Sequence, residues 1–294
     1  MRKTVILFTL LCSLAAVNAS AAHLADTYVI PVASHTPGAF GSTWATDIAI
    51  TNFSATTLNV QLLIIETGEN SNDNLFPVMT NEVPDGSFTV NPNSTRLLRD
   101  VLNGHRGRTS TVGALIVGAD RPFAITARSY NSLGGTIGET ITPVRDFFEN
   151  STGQFDGTSV AYLPGLVNNG LARTNIGFVA GSGSSTGGFT VEITVKNAAG
   201  AVLGTRRVTN LQGNFTHTQF SLTSITNQFF DVGSAEVRIL GGSGVVVPYA
   251  AVVDNRTQSV AYIMGIFPNN TPLTNSMNPS VFRSLLTRFQ SSTR

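Results

Sequence analysis

Phe189-Thr190-Val191-Glu192-Ile193-Thr194-Val195-Lys196 decides the fold class. Apolar and polar side chains alternate strictly over these eight residues, the period of a strand with one face in a core and the other in water. Asn197-Ala198-Ala199-Gly200 follows, with another strand pattern behind it, and predicts a hairpin turn. Leu58, Val60, Leu62 and Ile64 form a similar stripe, but Leu63 and Ile65 make its far end apolar on both faces. Phe123, Ile125 and Ala127, and again Val245, Val247 and Tyr249, keep the same period. Turn clusters at Asn91-Pro92-Asn93, Gly134-Gly135, residues 181–188 and 241–244 separate such runs. Many short strands at this spacing predict an all-β sandwich or barrel. Only 12% of residues are charged, while Gly, Thr and Val are abundant, which favours strands and tight turns over helices.

The chain also repeats itself. Tyr28-Val29-Ile30-Pro31 matches Ala161-Tyr162-Leu163-Pro164, and Thr46-Asp47-Ile48 matches Thr174-Asn175-Ile176. Val112-Gly113-Ala114 resembles Val232-Gly233-Ser234, and Ala127 to Asn131 aligns with Ala251 to Asn255. The offsets drift, as they do when insertions collect in exposed loops. Two tandem β-sandwich repeats are expected, at 27–144 and 159–267, with 145–158 as a linker. Beyond residue 268, Asn278-Pro279 offers a helix start, and Val281, Phe282, Leu285, Leu286 and Phe289 share one helical face. A short C-terminal amphipathic helix is therefore expected at about 279–291, within a tail running from 268 to 294.

Arg2 and Lys3, the uncharged run Val5 to Val17, and Ala19-Ser20-Ala21 have the order of a secretory signal peptide covering residues 1–21. The run is too short to span a bilayer. Cleavage there removes Cys12, the single cysteine, and leaves 16 basic against 17 acidic residues. A near-neutral chain has no electrostatic footprint for nucleic acid or for an anionic membrane. The expected location is secreted, periplasmic or cell-surface, with no transmembrane anchor.

The segments Ile30–Asn52 (IPV…GAFGSTWATDIAITN), Leu163–Phe178 (LPGL…RTNIGF) and Ala250–Thr257 (AAVVDNRT) resemble exported bacterial proteins built from tandem β-sandwich repeats. The group mostly lacks an assigned activity. More remotely, the Thr-Asp/Asn-Ile strand is similar to the β-sandwich of sensory-rhodopsin transducer proteins. The resemblance implies the fold alone, and no functional residue is carried over from it.

Catalytic equipment is sparse. His23, His35, His105 and His217 lie far apart, so local spacing assembles no zinc motif. Gly181-Ser182-Gly183-Ser184 lacks the G-x-S-x-G pattern and its strand-to-helix setting. Glu66, Glu69, Asp73, Glu82 and Asp85 cluster in a turn-rich stretch that reads as a solvated loop. Glu69, Asn70, Asn72 and Asp73 offer hard oxygen ligands for calcium, without EF-hand spacing; no other cofactor is indicated. Trp44, the sole tryptophan, stands at a loop–strand junction where an indole stacks on a sugar, anchors a protein partner or packs in a rim. Arg173 occupies the matching region of the second repeat. Tyr130-Asn131 and Asp254-Asn255-Arg256 are paired strand ends, suited to Asx turns or to a polar binding patch. The favoured expectation is a non-catalytic structural, adhesive or ligand-binding protein. Its partner would be a glycan, a surface protein, or a second copy met through sheet edges. The alternatives are a secreted hydrolase whose carboxylates converge only in the fold, and a periplasmic sensory accessory module.

Overall fold

The computed structural model describes residues 24–68, 75–133, 138–145, 154–155, 160–181, 189–211, 215–240 and 244–267. The signal peptide expected at 1–21, the calcium candidates Glu69, Asn70, Asn72 and Asp73, and the C-terminal helix expected at 279–291 lie outside these residues. The protein is all-β: 69% of the described residues are strand, arranged as antiparallel sheets in sandwich fashion.

The first sandwich is built from β1 (Ala25–Pro37), β2 (Thr43–Asn52), β3 (Leu58–Glu66), β4 (Leu75–Pro77), β5 (Ser87–Val90), β6 (Ser94–Leu98), β7 (Thr111–Asn131) and β8 (Glu139–Ile141). β7 serves both layers. Its first half pairs with β3 up to Ala119 and with β1 as far as Phe123; its second half, from Ala124, pairs with β2 and β8. The stretch expected as a linker contains two short strands, β9 (Val144–Arg145), which pairs with β1, and β10 (Gln154–Phe155). The second sandwich contains β11 (Val160–Asn168), β12 (Ala172–Gly181), β13 (Phe189–Asn197), β14 (Val202–Leu211), β15 (Thr216–Ser221), β16 (Phe230–Leu240), β17 (Gly244–Asp254) and β18 (Val260–Met264). β10 pairs with β17.

The same pairing graph is drawn twice. One layer is β1–β7–β3–β5 in the first sandwich and β11–β16–β13–β14 in the second. The other is β6–β2–β7–β8 and then β15–β12–β17–β18. The predicted hairpin joins β13 to β14, where Asn197 Oδ1 accepts from the amides of Ala199 and Ala201 and Gly200 takes φ +81°. Pairing also corrects one match made on sequence. Ile48 faces Ala127 while Ile176 faces Ala250, so Asn131 corresponds to Asp254 rather than Asn255. A slip of one residue exchanges the two faces of a strand.

The short recurring motifs now have a physical role. Pro31 and Pro164 lack a donor, and at each the ladder slips by a bulge, between Ile30 and Ala33 and between Pro164 and Leu166. Three residues later the freed amide is caught by the buried threonine of the opposite layer. Ser34 N donates to Thr46 Oγ1 at 2.9 Å, and Val167 N donates to Thr174 Oγ1 at 3.1 Å.

Each sandwich has its own core. Ile30, Ile48, Leu62, Leu115 and Phe123 lie in the first, and Leu163, Phe178, Ile193, Val237 and Ala250 in the second. A third apolar cluster joins them: Val29, Leu63, Ile65, Ala114 and Ile116 from the first meet Val179, Phe215, Val245 and Val247 from the second. The doubly apolar end of β3 is explained by this seam, since Leu62 and Ile64 face inward while Leu63 and Ile65 face the neighbouring sandwich.

Candidate functional site at the seam end

The site is built from loops at one end of each sandwich. In the first, the β1–β2 loop is drawn tight. A Cβ on Gly38 would lie 2.4 Å from Ser42 Oγ and 3.0 Å from Trp44 Nε1, so glycine alone permits this approach. Buried Asn131, opposite Trp44 in the β2–β7 ladder, donates to Ser42 Oγ at 2.9 Å and accepts from Leu133 N. At the loop tip Phe40 takes the left-handed conformation at φ 55°, strained for an aromatic residue, with its side chain in water.

Trp44 is half-buried and packs on Ala251, Val253 and Val260 of the second sandwich. The indole that could have faced a ligand thus anchors the two sandwiches to one another. It also sets the β1–β2 loop beside the β17–β18 turn. There Asp254 Oδ1 accepts from the amides of Arg256 and Thr257 at 2.8 and 2.7 Å, an Asx turn. These amide bonds, Thr257's foremost, hold the Asp254 carboxyl below its ordinary range. Arg173 donates to Asn255 Oδ1 at 2.8 Å and to Gln258 Oε1 at 2.9 Å. The Asn255 amide donates in turn to the Gly170 carbonyl at 3.3 Å. Arg256 is exposed. The seven candidate residues Trp44, Tyr130, Asn131, Arg173, Asp254, Asn255 and Arg256 therefore gather at one end of the molecule. Much of their polar capacity is spent on holding turns.

Tyr130 belongs to a second constellation that sequence spacing could not show. Buried Asp47, opposite Arg128, accepts from Arg128 Nη2 at 2.7 Å, Arg128 Nε at 3.1 Å and Asp100 N at 2.8 Å. Tyr130 hydrogen-bonds to Asp47 as well; burial, then the carboxylate, pushes its phenol pKa up. His35 Nδ1 lies 2.9 Å from Asp100 Oδ2. Burial raises the Asp100 carboxyl despite that partner. Asp47 and Asp100 do converge, but the oxygens of Asp47 are filled by fixed donors and Asp100 is held by His35. Such a pair pins the β6–β7 loop; general acid–base work requires a carboxylate free to exchange a proton with substrate.

The acidic stretch noted in the first repeat separates. Asp85 is exposed and accepts from Ser87 Oγ and N, which lowers its pKa. Glu66 lies 2.6 Å from Arg108 and 3.3 Å from Nε2 of fully buried His105. His105 Nδ1 accepts from Met79 N, so its proton sits on Nε2, facing Glu66. Among the described residues no three His, Cys, Asp or Glu side chains are placed to hold a metal ion. Nor is any described helix long and apolar enough to cross a membrane.

Apolar exposure is the feature that sequence reasoning missed. The three most exposed large apolar side chains among the described residues are Phe229 (80%), Leu171 (78%) and Phe40 (77%). Phe40 and Leu171 occupy equivalent connections, β1–β2 and β11–β12. Phe229 precedes β16, whose Phe230 pairs with Asn168 beside the β11–β12 turn. Leu133, exposed just after β7, joins them. No periodicity marks single apolar residues in short loops, so only their placement reveals them.

No family model matches the chain, and no curated protein matches it. Among solved structures it is similar to the T13 viral particle of IBDV at 12% identity and TM-score 0.24, over 88% of this chain and 76% of that one. The infectious bursal disease virus VP2 subviral particle gives 11% identity and TM-score 0.22, over 92% and 88%. A calcium-binding mutant of Bacteroides uniformis beta-glucuronidase 2 gives 6% identity and TM-score 0.18, over 79% of this chain and 27% of that one. Likenesses at these scores establish no common fold or function.

Proposed function

We propose that the protein is a non-catalytic exported binding or adhesive protein that meets its partner through the loops at the seam end. The observation that carries this reading is the exposure of Phe40, Leu171 and Phe229 on loops of that end, beside the polar groups of Arg173, Asn255 and Arg256. Apolar tips rimmed by hydrogen-bonding groups are the surface that a protein partner or the apolar face of a glycan uses. Export to the periplasm, the cell surface or the medium rests on the leader-like first 21 residues.

Self-association through sheet edges is the weaker version of this reading. β14 is the long outer strand of its sheet, and antiparallel pairing of two copies centred on Arg206 and Arg207 would oppose like charges. The hydrolase alternative has the Asp47–Asp100 pair as its nearest support, and the fixed partners of Asp47 speak against it.

The test is binding of the purified chain to a glycan array and to a panel of cell-surface proteins, followed by Phe40→Ser, Leu171→Ser and Phe229→Ser together. A loss of at least about tenfold for any bound partner is expected from removing three apolar contacts. Undiminished binding would move the site elsewhere. Turnover abolished by Asp100→Asn would replace the binding reading with the enzymatic one.

A further inference from the structure

The seam contains a polar group that its apolar surroundings do not require. His217, at the start of β15, is fully buried. Its ring takes one partner from each sandwich: Nδ1 lies 2.8 Å from Thr67 Oγ1 of the first, and Nε2 lies 2.8 Å from Tyr249 Oη of the second. The backbone joins at the same point, with Thr67 bridging His217 in parallel and Gly68 N donating to the His217 carbonyl at 3.1 Å. Thr67 Oγ1 gives its proton to the Val112 carbonyl, so it accepts from His217 Nδ1–H. Nε2 lies against Tyr249 Oη, whose own proton goes to Gln219 Oε1 at 3.1 Å.

We propose that His217 is an acid-sensitive clasp: its protonation releases the second sandwich from the first while each keeps its strands. The ring's two partners are neutral hydroxyls, so a second proton would place an uncompensated charge inside the apolar seam. The groups around the ring cannot compensate the added charge. β3 offers the Thr67 hydroxyl, while Glu66 beside it is paired with Arg108 at 2.6 Å. β1 offers the Pro31 carbonyl, which favours the charged ring but is outweighed by burial. β17 offers Tyr249, β15 itself Gln219, which lies 3.1 Å from Tyr249 Oη, and β18 Tyr262, whose phenol is pushed up to about 12 by burial. Apart from Glu66, none of these carries a negative charge at neutral or acid pH, and Val29, Ile65, Val245 and Val247 exclude water from the seam. Burial holds the imidazole down to about 3, whereas a released seam would return it to the ordinary histidine range. Acidification between these limits therefore favours the released state.

Small-angle scattering of the full chain from pH 7 to pH 3.5, read beside far-UV circular dichroism, tests this. The radius of gyration should rise as the pH falls while the β signal persists. His217→Gln should keep the radius constant over the range, and His105→Gln, which removes the other buried histidine, should open as the wild type does. Should His217→Gln fail to fold, Tyr249→Phe serves instead. Removing the hydroxyl that contacts Nε2 takes away one of the ring's two bonds across the seam and should move the opening to higher pH. A radius that never rises, a radius that rises only as the β signal collapses, or an opening unmoved by these substitutions would overturn the proposal.

Discussion

The outer face of β1, β7 and β3 and its counterpart on β11, β16 and β13 occupy the same place in the pairing graph, yet they share almost no chemistry. Ladder positions equate Val29, Leu63, Ile65, Ala114 and Ile116 with Tyr162, Thr194, Lys196, Ser234 and Glu236. The first set is buried in the seam. In the second, Lys196 Nζ lies 2.5 Å from Glu236, which also meets Arg238 at 3.1 Å, and the face is half-buried rather than covered by a neighbour. The hydrogen bond from Lys196 holds the Glu236 carboxyl below its ordinary range. The covering face shows the same asymmetry: Tyr249, Ala251 and Val253 of β17 stand where β7 has Thr126, Arg128 and Tyr130. A head-to-tail contact is thus used once, and both unused faces are polar. Repeats that stack in this way need polar ends to stop the array, and ion pairs supply one here.

The comparison breaks most severely if the seam is given the chemistry of the free face. Ile65→Lys, which copies Lys196, should cost about 3–5 kcal/mol in urea unfolding, because it strands a charge between two apolar surfaces. Giving the free face the chemistry of the seam does the opposite. Lys196→Ile with Glu236→Ile should leave stability within about 1 kcal/mol but create an apolar patch, seen as concentration-dependent association in ultracentrifugation.

Acid should weaken the seam through His217. Its folded pKa of about 3 lies below the unfolded value, so the unfolded chain binds more protons between pH 6.5 and 3, and stability is lost as the pH falls through that window. By pH 4 the loss attributable to this ring is roughly 3 kcal/mol, read as the wild-type stability change minus that of His217→Gln.

Close packing across the covering sheet gives a smaller effect. A Cβ on Gly177 would lie 2.4 Å from Tyr249 Oη, so Gly177→Ala should displace that ring and cost about 1–3 kcal/mol, whereas Ala49, its counterpart in β2, tolerates Ser with little change. Smallest are the threonine clamps. Thr174 both accepts from Val167 N and donates to Val167 O, whereas Thr46 accepts from Ser34 N. Thr174→Val should cost about 1–2 kcal/mol and Thr46→Val somewhat less, by thermal unfolding.

Much of the architecture was legible in the chain because alternation is local. The stripe ending in Leu63 and Ile65 even announced a strand covered on both sides, although nothing in it named the cover. That cover comes from β17, nearly two hundred residues away, and its Val245 and Val247 look like any other alternating strand. The last sequence match was read one residue out of register because Gly- and Ala-rich strand ends align equally well either way; only Ile48 opposite Ala127 and Ile176 opposite Ala250 fix it. Trp44 was recognised as special, but its partners Val253 and Val260 are distant in sequence, so an anchor between sandwiches could not be told from a ligand platform. The Asp47–Arg128–Asp100–His35 constellation was invisible for the same reason.

Trp44, the only tryptophan, sits at the seam and so reports on it directly. Urea unfolding at neutral pH, followed in parallel by Trp44 fluorescence and by far-UV circular dichroism, tests whether the apolar seam makes the two sandwiches one cooperative unit. The seam requires a single transition with the same midpoint by both probes. A fluorescence change that is complete while half of the β signal survives would show two sandwiches that merely touch.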